Sequence, residues 1–102
     1  MATETSNIQE LSQLRLYVAP GTPNSTRAEQ NLRTALDEME RRDTALRLEV
    51  IDVSKHVKLA RSDGVIVTPT LVGCNRKQRL TILGDLSNAP KLRQFLGDLY
   101  GT

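Results

Sequence analysis

The order in which hydrophobic periods change along this chain constrains its fold more than any other feature. Leu14, Leu16 and Val18 alternate with Arg15, Tyr17 and Ala19, a period of two that predicts a strand, and Pro20-Gly21-Thr22-Pro23 stops it. The period then becomes helical. Ala28, Leu32, Ala35, Leu36 and Met39 recur up to Arg41-Arg42, with Arg27, Gln30, Arg33, Asp37 and Glu38 on the outer face. Thr26 and Glu29 have the spacing of a capping box, which places the helix start at Thr26. Leu46, Leu48 and Val50 alternate with Arg47 and Glu49 and run into Ile51 and Val53, so a second strand is predicted. Strand, helix and strand in this order make a right-handed βαβ unit with two parallel strands, and the fold class is α/β.

The second half carries weaker local signals. Ser54 is placed to cap a short helix from Lys55 to Ala60, closed by Asp63-Gly64. Val65-Ile66-Val67 is a β-branched run, Leu71-Val72 extends beyond Pro69, Gly73-Cys74-Asn75-Arg76 has turn character, and Arg79 to Leu83 reads as a returning strand. Ser87 or Asn88 can cap a last helix with Pro90 in its first turn, where a missing N–H is harmless, and Leu92, Phe95, Leu96 and Leu99 form its buried stripe. The complete order is βαβαββα, the thioredoxin arrangement. Val65 to Leu71 enters a helix only by tolerating Pro69 and many β-branched residues, while Ile82 to Asn88 shows neither period. Weak local preference of this kind permits two packings of similar energy. Residues 1–13 are polar, with Ile8 and Leu11 unsupported by any period, and read as a flexible tail; residues 14–102 then form one domain.

Composition removes several function classes. Two tyrosines and one phenylalanine are the only aromatic residues, too few for a protein that stacks bases on rings, and a formal charge of +2 is too small for an electrostatic nucleic-acid footprint. No stretch has the apolar length of a membrane span and no charged segment precedes an apolar run at the start, so a cytoplasmic protein is expected. In such a compartment Asn24-Ser25-Thr26 is not a glycosylation site but a turn leading into a helix.

Chemistry is equally restricted. A thioredoxin-like enzyme holds a Cys-x-x-Cys pair in the loop after its first strand, where the helix N-terminus lowers the thiol pKa. Here that loop is Pro20-Gly21-Thr22-Pro23-Asn24-Ser25, which contains no sulfur. Cys74 is the single cysteine and reads as a small residue at a strand end. His56, the single histidine, stands between Lys55 and Lys58 as a solvated residue, without the spaced cluster a metal needs. The glycines lack phosphate-cradling spacing. No catalytic residue, cofactor or metal is expected. Arg76, Lys77 and Arg79 form the densest basic cluster, a solvated turn unless it steers an acidic partner.

Leu16-Tyr17-Val18-Ala19, Thr22-Pro23-Asn24-Ser25, Val50-Ile51-Asp52-Val53, Thr68-Pro69-Thr70-Leu71 and Gly84-Asp85-Leu86-Ser87 occur in an order and at a spacing that resembles the KaiB family of circadian clock proteins, from about Leu14 to Tyr100. The resemblance implies a thioredoxin-like module that binds the hexameric KaiC ATPase and catalyses nothing. It also implies a second, ground-state arrangement, βαββααβ, in the C-terminal half, with Gly84, Asp85, Leu86 and Ser87 as the signature of the exchanging segment. A cis bond before Pro69 is implied likewise. If the binding form is populated at about one per cent, a partner must supply more than roughly 2.7 kcal/mol of differential affinity to reverse the ratio.

By the same resemblance, docking uses the second strand, the short helix after it and the start of the first helix, with Arg27, Val53, Lys55, Lys58 and Thr68 as contact candidates. Implied partners are a KaiC-type ATPase, KaiA, and a SasA- or CikA-like histidine kinase, with dimers or tetramers of the chain in its ground state. Cyanobacterial members carry a proline-rich segment and paired arginines where this chain has Asn75-Arg76-Lys77-Gln78-Arg79-Leu80, which suggests a diverged KaiB-like paralogue. The KaiB-like sensory domain of SasA typically lacks the Gly84 to Ser87 signature, and the end at Thr102 reads as a free-standing module. The alternative function is a stress-response or signalling adaptor that acts with a KaiC homologue, or another partner, without rhythm.

Overall fold

The computed structural model describes residues 13–39 and 47–100. β1 (Gln13–Val18), α1 (Pro23–Glu38), β2 (Arg47–Asp52), α2 (Val57–Ser62), β3 (Thr70–Cys74), β4 (Arg79–Leu83) and α3 (Ala89–Tyr100) follow one another in the βαβαββα order. One mixed sheet holds the strands in the order β2-β1-β3-β4. β1 and β2 run parallel, with Leu16 opposite Val50; β1 and β3 run antiparallel, with Leu16 opposite Leu71; β3 and β4 pair antiparallel, with Leu71 opposite Ile82.

Because side chains alternate across a strand, this register sorts the sheet into two unlike faces. Leu14, Leu16, Val18, Leu71 and Ile82 point to one face, where Ala28, Leu32 and Ala35 of α1 and Leu92, Phe95, Leu96 and Leu99 of α3 complete the main core. Tyr17, Ile51 and Val72 point to the other, where Ala60 of α2 and the neighbouring Val53, Leu59 and Val65 pack against them. Burial of some thirteen core residues, at roughly 25 cal/mol per Å² of apolar surface, makes the first face the stabilising one. The second face carries the short helix α2 over a smaller apolar cluster.

Several boundaries differ from the sequence reading. Gln13 belongs to β1, opposite Arg47 and Cys74, and not to the tail; residues 1–12 of that tail lie outside the described residues, as do Arg41, Arg42 and Leu46. α1 starts three residues before Thr26, at Pro23, with Thr22 as N-cap and no side-chain cap. Proline at the first helical position is preset for this φ, so it starts the helix without a capping box. Thr26 Oγ1 instead donates back to Thr22 O at 3.1 Å, and Glu29 pairs with Arg33 at 2.9 Å along the helix.

Ser54 is not the cap of α2. Its amide and hydroxyl both donate to Asp52 Oδ1, at 2.9 and 2.7 Å, closing a turn that delays the helix to Val57. At the other end Gly64, with φ +75°, gives its amide to Arg61 O and Val65 gives its amide to Ala60 O, the two bonds of a Schellman stop. That stop turns Val65-Ile66-Val67 away from the sheet despite its β-branched composition, and β3 begins only at Thr70, after Pro69, which has no amide to give. Gly73 and Cys74 are strand, and the turn occupies 75–78, where Asn75 Oδ1 accepts from the amides of Lys77 and Gln78 at 2.7 and 2.9 Å. Asn88, rather than Ser87, caps α3 by accepting from the Lys91 amide at 3.1 Å. Among the described residues no helix is long and apolar enough to cross a membrane.

Candidate functional site

The loop that carries chemistry in thioredoxin-like enzymes is used here for structure. Ser25 is buried, and its Oγ accepts from the Ala19 amide at 3.1 Å; Thr22 Oγ1 donates to Ala19 O at 2.7 Å. These hydroxyls hold the β1–α1 turn closed. Arg27 is exposed on α1 with Nη1 on Asn24 Oδ1 at 3.1 Å. Among the described residues, no three His, Cys, Asp or Glu side chains come together as a metal site requires.

The face built on α2 has a different character. Val53, Val57, Ala60, Val65, Ile66 and Thr68, with Arg61, line a cavity of about 250 Å³ that opens to solvent. Ile66 is 92% exposed, Val57 52% and Val67 49%, so an apolar patch adjoins that cavity. Lys55, Lys58 and Arg61 are exposed on the same short segment. The Asp52–Ser54 turn sets where Lys55 stands, since the Lys55 amide donates to Asp52 O at 3.1 Å. Hydrogen bonds from the Ser54 hydroxyl and amide hold the Asp52 carboxyl below its ordinary pKa. The fold thus brings Val53 and Thr68 together in one cavity with Lys55 and Lys58 beside it. Arg27 stands apart from them, on the helix that covers the opposite face.

Arg27 lies instead near the Gly84-Asp85-Leu86-Ser87 segment. There the Ser87 hydroxyl and amide lower the Asp85 pKa, with a smaller contribution from the Arg27 charge. Asp85 Oδ1 accepts from the Ser87 amide at 3.0 Å, and Asp85 O accepts from Asn31 Nδ2 at 2.9 Å. Gly84 has φ +101°, Leu86 has φ +62° and is buried, and the Gly84 amide donates to Pro69 O at 2.9 Å. The Thr68–Pro69 peptide is cis.

A charged cluster under α2 escaped the sequence reading. Asp63, whose side chain is 7% exposed, accepts from Arg15 Nη1 at 3.0 Å and from the Tyr17 hydroxyl on Oδ2, and from Arg79 Nη2 on Oδ1. Arg15 also lies 3.4 Å from Glu49. Asp63-Gly64 carries a visible helix-stop signal, but its partners are 48, 46 and 16 residues away, and no local pattern joins them. Arg79 is therefore part of this cluster, whereas Arg76 and Lys77 are exposed at the hairpin tip.

Comparison with known proteins agrees with this geometry. A family model described as the KaiB domain matches residues 15–97. The circadian clock oscillator protein KaiB of Gloeothece citriformis is 42% identical over 87 residues, covering 85% of this chain and 80% of its own. The KaiB of Synechococcus elongatus is 43% identical over 88 residues, covering 86% and 84%. Among solved structures, the N-terminal domain of Synechococcus elongatus SasA superposes with a TM-score of 0.71 at 24% identity, over 89% of this chain and 84% of its own. Mitochondrial thioredoxin 3 of Saccharomyces cerevisiae does so with a TM-score of 0.72 at 21% identity, over 96% and 90%. At such identities the two structures share a thioredoxin-like fold with this chain.

Proposed function

The chain belongs to the KaiB family, and from that membership we propose that it is a non-enzymatic clock or clock-like regulator whose α2 face docks on the ring of a KaiC-type ATPase. The observation that carries this reading is the apolar patch of Val57, Ile66 and Val67 adjoining an open cavity, with Lys55, Lys58 and Arg61 beside it. An isoleucine held almost wholly in water gains nothing from folding, and its full burial by a partner would be worth about 1.5–3 kcal/mol. Three exposed cations around that apolar centre fit a partner with an apolar projection and an acidic rim, which would gain speed of encounter and correct register from the charges.

Val53, Lys55, Lys58 and Thr68 are the contact residues in this reading, and Arg27 would be reached only by a partner that extends over the sheet end onto α1. The absence of a thiol from the loop 20–25, and the use of its hydroxyls in the turn, support binding in place of redox catalysis. Titration against a KaiC-type ring from the same organism, followed by mass photometry, tests the proposal. A complex is expected, weakened at least tenfold by Ile66→Asp. Absence of a complex, or indifference to Ile66→Asp, overturns it.

A further inference from the structure

We propose that Asp63 is a positioning residue for the α2 face: its buried carboxylate clasps the end of α2 to the sheet through Arg15, Tyr17 and Arg79, and so fixes how Val57, Ile66 and Val67 are presented. The functional half of this proposal rests on the docking reading above; the structural half stands without it.

α2 needs such a clasp. Six residues are too few for a helix to persist on its own in water, and of this one only Ala60 is buried. The Schellman stop makes Asp63 the point through which α2 and the exposed residues after it share one backbone anchor, because the Asp63 amide binds Leu59 O while Gly64 and Val65 bind Arg61 O and Ala60 O. An acidic residue at a helix C-terminus opposes the helix dipole, so local helix chemistry would not select it there. What the carboxylate does is long-range. Two guanidiniums and a phenol converge on its two oxygens, from Arg15 and Tyr17 on one face of β1 and, across the buried Val72 of β3, from Arg79 at the start of β4. Glu49 on β2 lies beside Arg15, so two acids offset two bases and the cluster spans from one edge strand of the sheet to the other.

Arg79 gives the clasp a second consequence. It directly follows the 75–78 turn, so the geometry of that hairpin is transmitted to α2 through its ion pair with Asp63.

Amide hydrogen exchange on Asp63→Asn, Arg79→Gln and Arg79→Lys tests this. In Asp63→Asn and Arg79→Gln the amides of Ala60, Asp63 and Val65 should exchange tenfold or more faster than in the parent, with Leu16 and Leu71 unchanged. Arg79→Lys, which keeps the charge, should restore most of the protection. Should Asp63→Asn not fold, Arg79→Gln decides alone, since Arg79 is half exposed and its loss leaves the core intact. Unchanged protection at the three amides, or equal loss at Leu16 and Leu71, overturns the clasp. In the binding arm, affinity for the KaiC-type ring should fall in the order of the exchange rates. Binding that stays at the parent level while α2 loosens overturns the positioning role, whereas a parent protein that never binds overturns the docking reading and leaves the exchange result standing.

Discussion

Gly73 of β3 lies directly under Leu99 of α3: a Cβ at position 73 would stand 2.6 Å from Leu99 Cδ1, 2.9 Å from the Tyr100 hydroxyl and 3.0 Å from Phe95 Cζ. Glycine in a strand interior weakens the strand, so its presence here marks the close approach of a helix. Gly73→Ala should therefore destabilise the protein by about 1–3 kcal/mol, the usual cost of overpacking a filled core. Urea denaturation checks this; an unchanged midpoint would mean that Leu99 can give way freely.

Gly84→Ala provides the opposite test. Nothing stands within 4 Å of a Cβ there, yet φ is +101°, so any loss comes from the backbone alone and should be about 1–3 kcal/mol. Asn31→Ala, which leaves Asp85 O without its side-chain donor, should cost about 1 kcal/mol in the same denaturation experiment. Equal stability of all three proteins would show that this segment is not held as described.

The alkaline limb of stability follows from the two tyrosines. Burial raises the pKa of Tyr17 against the opposing effect of Arg15, and burial raises that of Tyr100 further. A phenol with a higher pKa in the folded than in the unfolded chain contributes its full stability below about pH 10 and loses it as pH rises, because the unfolded chain releases the proton first. The folded protein should show no tyrosinate absorbance step near pH 10, and its denaturation midpoint should fall above that pH. Tyr100→Phe should flatten the fall. A tyrosinate step at the ordinary pKa in folded protein would contradict this.

How much was legible depended on the range of the interaction. Leu14, Leu16 and Val18 declare a strand and Leu92, Phe95, Leu96 and Leu99 a helix face because their periods are local and Pro20 or Pro90 marks the boundary. Pro23 was visible too, but the Thr26–Glu29 spacing imitated a cap and concealed the earlier start. Val65-Ile66-Val67 failed as a strand because the Schellman stop and Pro69, rather than β propensity, decide where the chain can join the ladder. Val53, Lys55, Lys58 and Thr68 followed as candidates from a family resemblance, and the cavity that Val53 and Thr68 share required the fold. Asp63 was legible as part of a helix stop and not as the centre of a charged cluster, since that role lies in Arg15, Tyr17 and Arg79, which only the sheet register brings within reach.

Charge reversal on the docking face tests its location. Lys58 lies in the first turn of α2, beside the apolar patch, whereas Lys77 lies at the tip of the hairpin between β3 and β4, at the opposite end of the sheet. A rim charge acts through steering and complementarity, so Lys58→Glu should weaken docking on a KaiC-type ring by about tenfold, or about 1.4 kcal/mol, while Lys77→Glu should change it little. Added salt should narrow the gap between the parent and Lys58→Glu, because exposed charges are screened within about 8 Å at physiological ionic strength. It should leave the Ile66→Asp defect largely in place, since that defect arises from lost apolar contact. Biolayer interferometry over a salt series separates the two effects. If Lys77→Glu abolishes the complex and Lys58→Glu leaves it intact, the docking face lies at the hairpin and not at α2.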